Sequence, residues 1–303
     1  SLAEAIDLVN ATGYGLTSGL ESLDDREQAR WRDGIRAGNL YINRPTTGAI
    51  VLRQPFGGMG KSCFGPGMKA GGPNYVAQFM EFEDRTSSES IEPLTNPMLD
   101  DLRMRLSAVE MDAPAGEVAR VLRAIASYDR AAREEFGRDH EHFRLIGEDN
   151  IRRYLPIASL RVRVHERDTF FEITARACAA KAAGCHVTIS SPPGREHPAV
   201  RMLDAMTDSW AAGIEFIIET DAELMTAMDR GEVDRVRFAA ADRVPDWMRL
   251  PAHEAGVFLA DSPVLAEGRV EMLWCVREQS VSHAYQRYGN LGARAAERRM
   301  ETL

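Results

Sequence analysis

The chain alternates between stretches with a helical period and short apolar runs, and the alternation is most regular in its second half. Ser1-Leu2-Ala3-Glu4 has the form of a capping box, in which Ser and Glu satisfy each other's orphan amides, and predicts a helix through about Asn10. Gly13-Tyr14-Gly15 breaks that period. Leu16 to Leu20 is a strand-like run, and Asp24 is an N-cap for a helix over about 25–37 with Ala29, Ile35 and Ala37 as its apolar positions and Gly38 as its stop. Leu40-Tyr41-Ile42 is the next strand. Strand, helix and strand in this order form a βαβ unit, which requires a parallel sheet with helices packed on it. From Arg44 to Pro73 the chain is rich in Gly and Pro and has no period, so it reads as a long loop. Loops of that length within compact domains are frequently functional.

Residues 77–84 read as an extended edge segment and a candidate oligomerisation strand, because an unpaired edge otherwise invites aggregation. Residues 85–97 are a polar linker, and helices are expected over about 98–108 and 116–136. Strands at 159–165, 185–190, 214–219, 234–238 and 256–260 then alternate with helices at 168–183, 197–211 and 221–230, a doubly wound pattern. A long closing helix is predicted over about 264–287, burying Leu265, Leu273, Trp274 and Val281. Because the chain opens on a capped helix with no leading Met, it is expected to be a fragment of a longer fold.

At 303 residues the chain is long enough for two domains. Its 44% hydrophobic and 27% charged residues are those of a globular protein and not of a disordered one. A net charge of −9, spread over both halves, disfavours phosphate backbones, so nucleic acid is not an expected partner. Cys63, Cys178, Cys185 and Cys275 lack C-x-x-C spacing, which fits a reducing cytoplasm. No apolar run approaches the roughly 20 residues a membrane-spanning helix needs, which leaves only peripheral membrane association open.

Several short motifs carry less than they promise. Gly60-Lys61-Ser62 would end a P-loop, but that loop needs glycine where Pro55 stands. Gly65-Pro66-Gly67-Met68-Lys69-Ala70 satisfies a lax dinucleotide pattern inside a loop, without the strand before it or the helix after it. Cys63 has no neighbouring His to activate it, and Cys178 and Cys185 read as small core residues. His140-Glu141-His142 spaces its imidazoles two apart, which does not put them on one helical face, so no metal site is expected.

The residues with the strongest signal lie in and around the long loop: Ala37-Gly38-Asn39 leading to Tyr41-Ile42-Asn43, then Thr47-Gly48-Ala49, Gln54-Pro55-Phe56-Gly57-Gly58 and Lys69-Ala70-Gly71-Gly72-Pro73. Together, in this order, they resemble the end of the catalytic domain of the aldehyde dehydrogenase superfamily, and within it the L-glutamate γ-semialdehyde (1-pyrroline-5-carboxylate) dehydrogenases of the proline utilization A family. The resemblance implies an NAD-dependent oxidation of that aldehyde to L-glutamate. It makes Gly48 and Ala49 the turn that anchors the substrate carboxylate, a use of successive backbone N–H groups as an anion nest, and Phe56 an aromatic wall for the aliphatic part of the substrate. Taken without the resemblance, Gly48, Gly57 and Gly58 would be read as residues that permit tight turns.

In that family the nucleophilic cysteine, the oxyanion donors and the NAD site lie earlier than the stretch matched here. The chain is therefore expected to hold no catalytic, cofactor-binding or metal-binding residue of its own and to be inactive in isolation. The resemblance also implies that the remainder of the same polypeptide is a partner, that the protein is a homo-oligomer, and that an FAD-dependent proline dehydrogenase is fused to it. Residues 147–165 and the elements after them resemble an aldehyde dehydrogenase cofactor domain, but Val187-Thr188-Ile189-Ser190-Ser191-Pro192-Pro193 lacks the family's lysine and Phe238-Ala239-Ala240-Ala241 lacks its glycine and hydroxyls. The expected fold class is thus α/β. Residues 1–84 would be the C-terminal part of an aldehyde dehydrogenase catalytic domain, 85–145 a linker with bridging helices, and 146–303 a degenerate Rossmann-like domain and tail. The competing reading is a catalytically inert scaffold, or a ligand-binding module, that joins a dehydrogenase in trans.

Overall fold

The structure is a computed structural model and describes residues 1–63, 65–84, 94–108, 115–194 and 196–299. Among these the strands are β1 (Tyr14–Gly15), β2 (Thr17–Leu20), β3 (Asn39–Ile42), β4 (Met59–Gly60), β5 (Glu148–Pro156), β6 (Ser159–Arg163), β7 (His186–Ser191), β8 (Ile214–Ile218), β9 (Arg235–Arg237), β10 (Phe258–Ala260) and β11 (Val276–Ala284). The α-helices are α1 (Leu2–Ala11), α2 (Asp25–Gly34), α3 (Pro97–Ala108), α4 (Ala115–Ala131), α5 (Phe170–Ala183), α6 (Pro198–Met206), α7 (Asp221–Asp229), α8 (Asp246–Glu254) and α9 (Gly268–Glu271). Contacts divide the chain into one compact unit of Ser1–Met80, Arg138–Leu155 and Arg277–Leu303, and a second of Glu81–Gly137 and Pro156–Val276.

In the first unit Ser1 and Glu4 form the expected capping box on α1, and Asp24 caps α2 by accepting from the Arg26 N–H. Four strands lie in the order β2-β3-β11-β5. β2 and β11 both run parallel to β3, with Thr17 and Ser280 on either side of Asn39. Ile6 of α1, Trp31 of α2 and Ile35 pack on Leu40, Ile42 and Val281 of the sheet. Each such aliphatic side chain contributes roughly 1.5–3 kcal/mol when fully buried, so the βαβ unit rests on a few well-covered residues.

The second unit holds a parallel sheet in the order β10-β9-β6-β7-β8. The chain leaves β6 toward β7 and β8 on one side and later returns to place β9 and β10 on the other, as a doubly wound fold does. Parallel strands buried beneath helices make this the mixed α/β class expected from the alternation. One core cluster joins Leu224 and Met228 of α7 to Val236 and Phe238, with Met248 and Ala252 of α8 and Leu259 of β10.

Several expectations need correction. The helix predicted to 37 stops at Gly34, and Ile35 is already extended at φ −79° and ψ 132°. Ile35 and Ala37 are buried as the lead-in to β3, and Trp31 is the residue that buries the helix face. The extended edge over 77–84 is a 3-10 helix over Tyr75–Phe79 followed by chain without regular structure. The closing helix over 264–287 does not form. That stretch is α9, a 3-10 turn over Met272–Cys275, and β11.

Leu265, Leu273, Trp274 and Val281 are buried as expected, but Leu265 in the irregular chain before α9, Leu273 and Trp274 in the 3-10 turn and Val281 in β11. β11 escaped notice because it is buried on both faces and most of its buried side chains are polar: Glu278, Gln279, Ser280 and Ser282. Their partners are Ala37 O for Gln279 and Pro55 O for Ser280, so the strand meets the rule that buried polar groups be hydrogen-bonded. β5 and α8 were missed as well, the first for its buried Asn150 and Arg152 and the second for Pro251 inside the helix. Most of the polar linker lies outside the described residues; its end is ordered by Asp129, which accepts from Thr95 and Asn96.

Candidate functional site

The long loop leaves the carboxyl end of β3 at Asn43, which takes a left-handed conformation (φ 56°) and accepts from the Ser22 N–H at 2.9 Å. The turn at Gly48 has φ +132°, and a Cβ there would sit 2.8 Å from Gln54 Oε1, so only glycine meets both conditions. Tyr41 donates its hydroxyl to Gly48 O at 2.7 Å. Ile50 and Gln54 then close the turn, with Gln54 N donating to Ile50 O at 2.7 Å. Gly48 and Ala49 are exposed, and among the described residues their N–H groups have no hydrogen-bond partner. Two free amides in succession, their carbonyl side pinned, make a surface that an anion can occupy.

Beneath this turn lies a charged network. Arg44 Nη1 donates to Glu148 Oε1 at 2.6 Å and to Ser282 Oγ at 2.5 Å, and Arg53 Nη2 donates to Glu148 Oε2 at 2.8 Å. Gln54 Nε2 reaches Glu148, Asn150 and Ser282, each at 3.1 Å. Burial pushes the Glu148 carboxyl upward, but the hydrogen bond from Arg53 and the charges of Arg44 and Arg53 outweigh it and hold it below its ordinary value. Four atoms of the network, Arg44 Nε, Arg53 Nε, Gln54 Oε1 and Asn150 Nδ2, are buried without a partner among the described residues.

Phe56 lies two residues beyond Gln54 on an antiparallel bridge with Ala70, its side chain half-buried. Behind it the Lys69 ammonium is 1% exposed. It donates to Asn39 Oδ1 at 3.1 Å and to Gly57 O. A Cβ at Gly38 would lie 1.9 Å from Gly57 O, so the close approach of these two segments requires glycine there. Glu278 of β11 accepts from the Lys69 N–H at 3.0 Å and from the Asn74 amide, which also donates to Tyr154. Burial draws the Lys69 pKa down to about 7, against the attraction of Glu278 and Cys63.

The loop thus brings Gly48, Ala49 and Phe56 onto one stretch of ordered backbone. Sequence reasoning quoted Lys69 only as part of a motif and gave no role to it or to Arg44, Glu148 and Ser282. An arginine and a lysine inside a Gly- and Pro-rich loop were a legible signal, but their partners lie far along the chain and were not. Of the thiols, Cys63 is half-exposed and the other three are buried. Burial pushes Cys185 up to about 12 and Cys178 higher still, which suits packing and not nucleophilic attack.

In the second unit the crevice at the carboxyl ends of β6 and β9 measures about 390 Å³ and is lined by Arg163, His165, Glu166, Asp221, Asp242 and Arg243, among others. Arg163 is held by Asp221 at 2.6 Å and Arg243 by Asp242 at 2.6 Å. A dinucleotide pyrophosphate would therefore meet guanidinium groups already paired with carboxylates. The residues present do not suit such a cofactor.

The ordering of these motifs has counterparts in known proteins. Residues 1–84 match the aldehyde dehydrogenase family. The bifunctional protein PutA of Rhizobium meliloti is 53% identical over 79 residues, which are 26% of this chain and 6% of that protein. The 1-pyrroline-5-carboxylate dehydrogenase of Bacillus thuringiensis (strain Al Hakam) is 44% identical over 87 residues, 29% of this chain and 16% of the relative. The solved structure of proline utilization A (PutA) from Corynebacterium freiburgense is similar at 33% identity and a TM-score of 0.67, over 95% of this chain and 25% of that one. The likeness to that structure therefore reaches well beyond the residues matched by the family, while the chain spans only a small part of each relative's length.

Proposed function

We propose that this chain is a segment of a bifunctional proline-catabolic enzyme and contributes the substrate-anchoring loop for NAD-dependent oxidation of L-glutamate γ-semialdehyde to L-glutamate. The observation that carries this reading is the pair of unpartnered, exposed amides at Gly48 and Ala49 in a turn whose Gly48 admits no side chain. An aldehyde that is also an amino acid must be gripped at its acidic end, away from the carbon that reacts. The two amides would accept the carboxylate, and the half-buried Phe56 ring would pack along the methylene chain. What this part of the protein adds to catalysis is position, and holding a reactant in register lowers the barrier by the entropy already spent on binding.

The names of the relatives, a bifunctional PutA and a 1-pyrroline-5-carboxylate dehydrogenase, support the substrate class. In the same reading the nucleophile and the NAD site belong to the remainder of the polypeptide, as does an FAD-dependent proline dehydrogenase. The isolated chain is inactive, the whole protein is a cytoplasmic homo-oligomer, and the sheet of the second unit serves assembly. In this reading residues 1–84 are the end of an aldehyde dehydrogenase catalytic domain, 85–145 a linker with bridging helices, and 146–303 a degenerate Rossmann-like domain and tail. Steady-state kinetics on the longer enzyme test the anchoring role. Gly48→Val and Phe56→Ala are expected to raise KM for the semialdehyde about tenfold or more, the signature of lost substrate binding. Unchanged KM in both variants would overturn it.

A further inference from the structure

The Arg44 guanidinium lies over the Tyr41 ring, 5.8 Å from its centroid, and is hydrogen-bonded through one of its nitrogens. Its Nη1 is fixed by Glu148 Oε1 at 2.6 Å and Ser282 Oγ at 2.5 Å. Its Nη2 donates to no described residue and lies 3.8 Å from the place a Cβ on Gly48 would take. The side chain is 18% exposed, so a cation that is anchored but not covered borders the turn with the free amides. Nor is its charge cancelled, because Glu148 is shared with Arg53 and two guanidinium groups therefore meet one carboxylate.

We propose that Arg44 is a specificity-determining residue of this site, its Nη2 supplying the fixed positive charge by which the Gly48–Ala49 turn selects a carboxylate over a neutral polar group. Backbone amides by themselves discriminate poorly, since a carboxamide oxygen also accepts from N–H. A charge-assisted hydrogen bond from a guanidinium is roughly twice as strong as a neutral one, and it is lost when the ligand's carboxylate becomes an amide. Glu148 and Ser282 are positioning residues for Arg44: by occupying Nη1 they keep Nη2 beside Gly48. The inference rests on the anchoring role proposed above and adds to it a residue that the turn geometry alone did not require.

L-norvaline and L-norvalinamide are suitable probes, because they share an ammonium and an aliphatic chain and differ only in the carboxylate. Titrated into the 303-residue chain and followed by proton–nitrogen NMR, norvaline is expected to shift the Gly48 and Ala49 amides and the Arg44 side-chain resonances with one common half-saturation. Norvalinamide should bind about tenfold more weakly or worse, as loss of a hydrogen bond to a charged group implies. In Arg44→Gln the norvaline affinity should fall by about the same factor while norvalinamide binding stays as it was, and Arg44→Lys should recover part of the loss. If norvaline fails to move Gly48 and Ala49 in the unmutated chain, the anchoring reading itself falls. If it moves them equally well in Arg44→Gln, or leaves the Arg44 resonances fixed, only the role of Arg44 is overturned. Should Arg44→Gln not fold, the Arg44 resonances of the unmutated chain decide the matter.

Discussion

Lys69 offers the sharpest test of how the loop is held. In the folded chain its pKa lies at about 7, whereas the ordinary value to which it returns on unfolding is 10.5. Between those two values the unfolded state binds more protons than the folded state, so stability rises with pH by about 1.36 kcal/mol for each unit. Below pH 7 both states carry the proton, and the full cost of a buried ammonium applies. From pH 6 to pH 9 this group should add about 3 kcal/mol to the first unit, two pH units above its folded pKa times that slope.

Lys69→Met removes the titration. It also leaves Asn39 Oδ1 and Gly57 O without this donor, an offset of about 1–3 kcal/mol each that does not vary with pH. The stability difference between wild type and variant should therefore shift toward wild type by about 3 kcal/mol on going from pH 6 to pH 9. Hydrogen exchange of the Leu40, Tyr41 and Ile42 amides in β3 measures it, and the carbon resonance next to the Lys69 nitrogen reports its protonation directly. A midpoint near 10, or a wild-type-to-variant difference that does not change with pH, would refute the account of Lys69 as a destabilising buried cation.

Three further outcomes follow from the structure. Gly48→Ala forces a side chain into φ +132° against Gln54 Oε1, which should cost about 1–3 kcal/mol by chemical denaturation and shift the Gln54 side-chain resonances. Arg176→Met removes a fully buried guanidinium that donates to Arg163 O, Arg237 O and Asp168. With the Asp168 charge left behind, the second unit should lose about 3–5 kcal/mol, lowering its calorimetric Tm by roughly 6–20 °C. A thiol reagent should label Cys63 in the native chain and reach Cys178, Cys185 and Cys275 only after denaturant is added, because those three are buried. Native labelling of all four at similar rates would contradict their placement.

Wherever burial and apolar side chains coincide, the elements were legible before the fold was known. The capping box at Ser1 and Glu4, the parallel pairing of β2 with β3, and the alternation from β6 to β10 all follow from local periodicity and cap chemistry. Gly48, Ala49 and Phe56 were singled out by a motif order that a resemblance carried. β11 was not: it is buried on both faces, with Glu278, Gln279, Ser280 and Ser282 among its buried residues, and a hydropathy pattern has no means of marking a polar residue as buried.

The polar groups that sequence reasoning missed share one physical reason. Glu148 becomes a counter-ion for Arg44, and Glu278 an acceptor for the Lys69 N–H, only when chain about 100 and 200 residues apart in sequence is brought together. Sequence by itself determined which stretches could be helix, strand or turn, and that the turn after Asn43 needs glycine. Tertiary structure alone decided which charges face one another beneath that turn, because electrostatic pairing depends on distance in space and on burial, and neither is a property of neighbouring residues.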